Sequence, residues 1–593
     1  MEIINSQTRW NLNNLLYGFD LEKLSKHINR IKEKLTDLET CSVSKILKEN
    51  ELLTLSKIIK QIESVESFYY CLTTENVETS LLTSINGSIS TLKSQVRSIL
   101  SHLQDTLFKL TDNEFDKWAS GMNEKRLITD VFRGKRISEE EKNKLSIAGE
   151  TLSCMQEVYE QMRNNLVVRM NLGDEEKELT FSEANHSAMS HSDSSKRLLI
   201  FNELNRSLGK QSNEFASIYN QMVGLRLNEN QIRNVHYLDE SLKLNGISST
   251  TLNAMWDAVD YKSKELSEFL KIKAKEAGKD KLTWHELMST PEDVSLKFTF
   301  SQAIEGIIKS LQTIDSNISE YIKEVIKKGW VDAEQRKTKP FGGFCAPFLV
   351  EGESRISLSY DNSIDSARRL AHELGHAWHF QQMKVVPSLR FSEETFEMTM
   401  AETSSIFFET AFIDYVIEDT QDESLKKAIL GWKIERSLNY LMSIRGAFLF
   451  ENAFYECRKY GQLDVKQVEK LSLQSQEKAF GNGLSEYEPY VWIKYGQFYQ
   501  ADVPFYNYPY SFGFLLSIGL LEISKGNDDF CKKFQGFLSE TGMLPLEQLI
   551  KKHFHLDLTQ PEFWQRSILS LIKDINQYKK SGSSCNWMKV NKK

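Results

Sequence analysis

The chain has 593 residues, 40% hydrophobic and 26% charged, with 74 basic against 82 acidic side chains and a formal net charge of -8. This composition excludes collagen-like, disordered and disulfide-framework classes, and the acidic balance speaks against a nucleic-acid binder, which needs a clustered basic surface. All nine prolines lie at or after Pro291 and only 10 of 28 glycines precede residue 290, so a turn-rich, all-β first half is also excluded.

In chain order, the N-terminal MEIINSQTRW lacks a basic stretch followed by an apolar one, so no signal peptide is expected. From Leu21 to about Ala188 apolar residues recur at three- and four-residue spacing, LEKLSKHINRIKEKLTDLET being the clearest case, and predict helices. The polar run Ser182–Ser195 is a candidate boundary. It divides a helical N-terminal domain, 1–190, from a second, larger domain, 196–580, and residues 581–593 read as a basic tail. A second helical series spans about 196–328. It is interrupted by KTKPFGGFCAPFLV, with Pro340, Gly342, Gly343 and Pro347, and then by SRISLSY, where Ile356, Leu358 and Tyr360 alternate with polar residues as in a half-buried strand. Helix resumes at Asn362 and runs, with breaks, to about Lys579. The longest apolar stretch, Phe512–Ile523, is interrupted by Ser517 and too short to span a bilayer. Seven widely spaced cysteines without CxxC fit free thiols and a cytoplasmic protein.

The chemistry concentrates at His372-Glu373-Leu374-Gly375-His376. Histidines four apart on a helix share a face, so both imidazoles can reach one ion, and the intervening glutamate can serve as a general base. Ile364, Ala367, Ala371, Leu374 and Trp378 form the stripe that packs this helix on a core, and Asn362 and Ser363 offer N-cap oxygens. The preceding strand could hold a substrate backbone by β-addition. A bland reading, two histidines without a metal, competes with this one. A catalytic zinc takes three protein ligands. The third is sought on FSEETFEMTMAETSSIFFET, where Glu402 and Glu409 share a face and Glu394 and Glu397 are alternatives. Thr399 and Glu402 could equally form a capping box. Spacing does not separate Glu402 from Glu397. His379, one turn past His376, is a candidate second layer to the metal. His285-Glu286 lacks the second histidine of the motif.

Tyr490, Tyr495, Tyr499, Tyr506, Tyr508 and Tyr510 crowd one segment, broken by Pro504, Pro509 and Gly513. They read either as aromatic core or as phenols that donate to an oxyanion.

With these residues in view, the sequence resembles the oligoendopeptidase F branch of the thimet oligopeptidase-like zinc peptidases over nearly its whole length. LAHELGHAWH with GGFCAPFLVEGESRISLSY is similar to the family's strand and metal helix. MAETSSIFFE is similar to its glutamate-ligand helix, and FYNYPYSFG to its tyrosine loop. Trp10-Asn11-Leu12 with Leu15 and Leu16 and KLTWHELMSTPEDVSLKFTF are more diffuse matches. The resemblance implies a mainly α, two-lobed zincin-type fold with a small β-sheet beside the metal helix and a deep substrate channel. It implies one Zn²⁺ held by His372, His376 and Glu402, Glu373 as general base, and Tyr508 and Tyr510 as catalytic phenols. It places Gly342, Gly343, Phe344, Tyr506 and Gln497 at the substrate, with His379 and Glu409 behind the metal ligands. The reaction implied is endopeptidic hydrolysis of short oligopeptides by a monomer or small homo-oligomer, without nucleic acid or membrane. One departure stands out: Gln497, in GQFY, occupies the position of the family's usual histidine. It keeps a hydrogen-bond donor and loses the ability to carry a proton. A metallocarboxypeptidase of the same fold, and a weakly active or inactive peptide binder, are the alternatives.

Overall fold

The computed structural model describes residues 8–15, 20–120, 139–172, 175–289, 297–339, 342–383, 398–527 and 529–581. Leu16, Pro291, Pro340, Pro387, Glu394, Glu397 and the tail beyond residue 581 lie outside them. The fold is mainly helical with a few short strands, as the periodicity predicts. Two compact units are built from interleaved segments. The first holds Met1–Arg136, Ser295–Asp419 and Leu520–Leu556, and the second Ile137–Val294, Thr420–Gly519 and Asp557–Lys593. Residues 182–195 therefore lie inside the second unit.

The elements of the first unit are α1 (Leu21–Ser44), α2 (Glu49–Thr73), α3 (Thr79–Phe108), α4 (Asp112–Ser120), α5 (Phe300–Gln312), α6 (Ser316–Lys327), β1 (Val331–Asp332), β2 (Gly343–Phe348), β3 (Glu353–Leu358), α7 (Ile364–Met383), α8 (Met398–Asp419), α9 (Phe530–Ser539) and α10 (Leu546–Phe554). Asp20 caps α1 by accepting from the Lys23 N–H, and Leu24, Ile28, Ile31, Leu35 and Leu38 line its buried face. That stripe merges with α2, α3, Trp10, Leu12 and Leu15 into one core that also takes in Ala346 and Phe348 of β2.

The sheet has the order β1-β3-β2, with β1 parallel and β2 antiparallel to β3. Gly343 pairs with Leu358 and Phe348 with Glu353. Two expectations change here. The glycine- and proline-rich stretch, read in sequence as an interruption leading into the strand, is itself an edge strand over Gly343–Phe348, where Pro347 costs no ladder bond. β3 reads as half-buried and is buried almost throughout, because it is the central strand. Asn11 accepts from the Arg355 guanidinium at 3.2 Å and donates to Gly329 at 2.9 Å, so residues near the N-terminus lie along this sheet.

Just before β2 sits a buried charge cluster. Lys339 Nζ lies 2.8 Å from Asp332 Oδ1 and donates to the Leu358 carbonyl at 3.0 Å. Arg336 pairs with Asp332 and, at 3.3 Å, with Glu75, which also accepts from Trp10 Nε1 at 2.8 Å. Leu358 is the register partner of Gly343, so this cluster fixes where β2 begins.

In the second unit, the helical pattern expected to about Ala188 is interrupted by a hairpin, Val167–Leu172 against Glu175–Thr180. Val168 and Met170 face inward and Val167 outward, the period-2 pattern of a strand. The polar run that follows is mostly helical. Thr180 and Glu183 form a capping box for Phe181–Ser190, and Asp193 caps Ser194–Lys210. His285 is buried, with Nε2 at 2.8 Å from the Ala188 carbonyl. A π-turn, Asn439–Ser443, joins helix Glu423–Leu438 to helix Ile444–Arg458. The Tyr440 carbonyl accepts from Ser511 at 2.5 Å, and the Tyr440 ring stacks on Phe514 at 4.7 Å. Among the described residues no helix is long and apolar enough to cross a membrane.

Removing Asp332 leaves the Lys339 ammonium buried with only carbonyl partners. Asp332→Ala is expected to destabilise the protein by about 3–5 kcal/mol, and Asp332→Asn by less. Urea unfolding measures this, and a loss under about 1 kcal/mol would show that the cluster is not needed for the fold.

Candidate metal centre

Ser363 starts α7: its hydroxyl accepts from the Ser366 N–H at 3.1 Å, while Asn362 turns the chain with φ +62°. Ile364, Ala367, Leu370, Ala371, Leu374, Ala377 and Trp378 are the buried stripe, as the spacing predicts. This leaves His372 and His376 on a neighbouring face, one turn apart, with ring centroids 4.8 Å apart and planes at 85°.

The partner surface is α8. Its approach depends on Gly375: a Cβ there would lie 2.6 Å from both the Ser404 carbonyl oxygen and Ser405 Cα. Ser404 Oγ donates to the Gly375 carbonyl at 2.9 Å and locks the crossing. Helices this close carry Glu402 to the histidines. Glu402 Oε2 is 3.4 Å from His372 Nε2 and 4.0 Å from His376 Nε2, and Ser405 Oγ donates to the same oxygen at 3.0 Å. One ligand atom from each of His372, His376 and Glu402 falls within 4.8 Å of the others. A tetrahedral ion with bonds of about 2.0–2.1 Å sets its donors roughly 3.4 Å apart. The three side chains therefore fit a divalent ion with little adjustment.

A second layer holds them. Glu409 Oε2 lies 3.1 Å from His372 Nδ1 and is paired with Arg368, whose Nε also donates to Asp365 at 3.0 Å. With Nδ1–H donated to Glu409, the His372 Nε2 lone pair is directed at the site. Burial pushes His372 down, but the Glu409 hydrogen bond and the charges of Glu402 and Glu409 outweigh it and carry its pKa up to about 9. Burial holds His376 down at about 4, as a neutral imidazole. A field that fixes a positive charge at this point suits a cation. Arg368 escapes a search for ligand-type residues. Its signal in sequence is its place one turn before His372 on the same face.

Glu373, the residue after His372 on α7, is 6% exposed, and burial pushes its carboxyl up to about 7. It faces β2: a Cβ on Gly343 would stand 3.1 Å from Glu373 Oε1. Gly342, at φ +114°, takes a conformation open to glycine. The Phe344 ring packs on Trp10 at 6.3 Å between centroids. His379 is buried, and its Nε2 meets Thr541 Oγ1 at 2.7 Å, which ties α7 to the turn after α9.

The remaining sequence candidates lie in the second unit. Gln497 is half-buried on the 3₁₀ turn Gly496–Tyr499. Tyr508 is 1% exposed, and its phenol oxygen accepts from Ser241 and Asn245, each at 3.2 Å. Tyr506 and Tyr510 are the half-exposed pair, the Tyr510 hydroxyl donating to that of Tyr506 at 3.2 Å.

Because backbone atoms meet the Gly375 position, Gly375→Ala must force α7 and α8 apart. It is expected to weaken metal retention about tenfold or more and to lower stability by about 1–3 kcal/mol. Equilibrium dialysis against a competing chelator and thermal unfolding measure the two, and unchanged retention would contradict the packing argument.

Comparison with known proteins gives the family. The sequence profile of peptidase family M3 matches residues 187–569, more than half of the chain. An oligoendopeptidase F homolog of Borreliella burgdorferi is 22% identical over 92% of this chain and 94% of its own. Oligopeptidase PepF of Bacillus subtilis is 20% identical over 85% and 77%. Among solved structures, a chain from Chlamydophila abortus superposes with TM-score 0.82 at 17% identity, covering 97% of this chain and 98% of its own. Oligoendopeptidase-F from Enterococcus faecium does so with TM-score 0.67 at 14% identity, covering 95% and 99%, and both show the same fold. The chain belongs to peptidase family M3 and is a metallopeptidase.

Proposed function

We propose that the protein is a zinc endopeptidase that cleaves internal bonds of short oligopeptides in the cytoplasm. The observation that carries this reading is the convergence of His372, His376 and Glu402 beside the buried carboxylate of Glu373. Two imidazoles and a carboxylate suit zinc. When bound, such an ion supplies Lewis acidity: it polarises a carbonyl and makes a water more acidic. The rest falls to the protein. Glu373 takes the proton of the attacking water and passes it to the departing amine. Glu409, braced by Arg368, keeps His372 in the tautomer that presents Nε2. The free edge of β2 at Gly342, Gly343 and Phe344 receives an extended peptide through backbone hydrogen bonds. A side chain at Gly343 would press on Glu373. Of the loop phenols, Tyr510 with its partner Tyr506 is the more open to a substrate oxyanion, and we rank it ahead of the enclosed Tyr508.

The family match over 187–569 supports reading 196–580 as the catalytic region and 1–190 as a helical region before it. Six free cysteines among the described residues fit a reducing compartment. Gln497 favours a second reading of the same site, a member with slow turnover, since an amide cannot carry a proton.

A quenched peptide with both termini blocked tests the proposal. Cleavage at an internal bond is expected, abolished by chelator and restored by zinc. Glu373→Gln is expected to lose about 10³-fold or more in kcat while retaining one metal per chain. More than a few per cent of wild-type activity in that variant would remove Glu373 from the reaction. A requirement for a free C-terminus would turn the assignment to a carboxypeptidase. Gln497→His is expected to raise kcat, and no change would show that the amide is not limiting.

A further inference from the structure

The stretch from Gln500 to Asn507 leads into helix Tyr508–Ser524 and carries Tyr506. Within it Phe505 has φ +57°. A bulky residue in the left-handed region is strained and persists only where its surroundings over-determine it. Those surroundings are unusual. The Phe505 N–H donates to Glu451 Oε1 at 3.0 Å, and its ring packs against Tyr237, Phe448 and Tyr455. Glu451 is 2% exposed, on helix Ile444–Arg458. Burial pushes its carboxyl up to about 7 against the pull of the Phe505 N–H and of Arg226.

Arg226, 4% exposed on helix Ser212–Arg233, serves the other end of the same stretch. Its guanidinium donates to the carbonyl of Gln500, to that of Ala501 at 3.4 Å and to the Tyr455 hydroxyl at 3.3 Å. The Ala501 N–H is held in turn by Gln156 Oε1 at 2.8 Å. A buried cation thus gathers carbonyls where the loop begins, and a buried carboxyl gathers an N–H where it ends. Each charge meets the backbone group of opposite polarity. Burying two charges is costly, and an apolar pair of similar volume would pack as well. What an apolar pair could not do is dictate the direction of the backbone groups in a loop that has no ladder of its own.

We propose that Arg226 and Glu451 are positioning residues, a buried bracket that holds Phe505 in the left-handed conformation and so sets the direction of Tyr506 and of its hydroxyl partner Tyr510. This rests on the peptidase reading given above for those phenols. The bracket acts through the loop and touches no reacting atom.

Hydrogen–deuterium exchange of the peptide covering residues 500–507, with kcat and KM for a blocked peptide, tests it in the metal-loaded full-length protein. Glu451→Ala is expected to raise exchange in this stretch at least tenfold and to lower kcat about tenfold, with metal content unchanged. Glu451→Gln keeps a carbonyl acceptor for the Phe505 N–H and is expected to recover most of both. Unchanged exchange or unchanged kcat in Glu451→Ala overturns the proposal. So does an equal loss in both variants that tracks the unfolding temperature, which is the mark of a merely structural group. Tyr506→Phe and Tyr510→Phe, run alongside, separate the two layers. Full turnover in both removes the phenols from the reaction and overturns the positioning role with them. Slow turnover in those variants with normal turnover in Glu451→Ala removes the bracket alone.

Discussion

The site depends on how closely two helices can touch. At Gly375 the backbones of α7 and α8 meet with no room for a methyl group, and Ser404 closes the contact with a hydrogen bond. Each turn of α7 supplies one histidine, but the third ligand must come from another helix. A carboxylate is short, so the interaxial distance decides whether Glu402 meets both imidazoles or only solvent. The same contact sets Glu409 against the far side of His372. One missing side chain therefore places two carboxylates on the two nitrogens of one imidazole ring.

Charge burial is the second theme. Asp332 with Lys339, and Arg226 with Glu451, are enclosed where hydrophobic residues would be cheaper. In both places the buried groups grip the backbone: Lys339 holds the carbonyl opposite Gly343, and Glu451 holds an N–H in a strained turn. Where the backbone leaves regular structure near a working surface, its own hydrogen bonds cannot define it, and buried side-chain charges take over that task.

Much of this was legible beforehand. The helical first half, the stripe on α7 and the paired histidines follow from spacing alone. Other features escaped for identifiable physical reasons. Glu402 and Glu409 share a face and are seven apart, so periodicity treats them alike. The resemblance separates their roles, and packing gives the physical reason: one approaches Nε2 of His372 and the other Nδ1. β2 hides behind glycine and proline because an edge strand tolerates what a central strand does not. The hairpin at Val167–Thr180 carries its alternation openly, yet it is short and set among strong helical segments. Tyr508 and Tyr510 stand two residues apart with the same chemistry. The enclosure of one by Ser241 and Asn245 depends on a helix more than 200 residues earlier in the chain, which local patterns cannot show.

The π-turn at Asn439–Ser443 has a geometric consequence of its own. Such a turn contains one residue more than an α-helical turn, so it works as a phase shift in the helix that follows. Deleting one residue there would restore α-helical winding and rotate helix Ile444–Arg458 by about 100° about its axis. Glu451 would swing away from Phe505, and Tyr455 away from Arg226, with no change in either residue's identity. The extra residue thus carries information that composition does not: it sets the angular phase at which a whole helix presents its side chains.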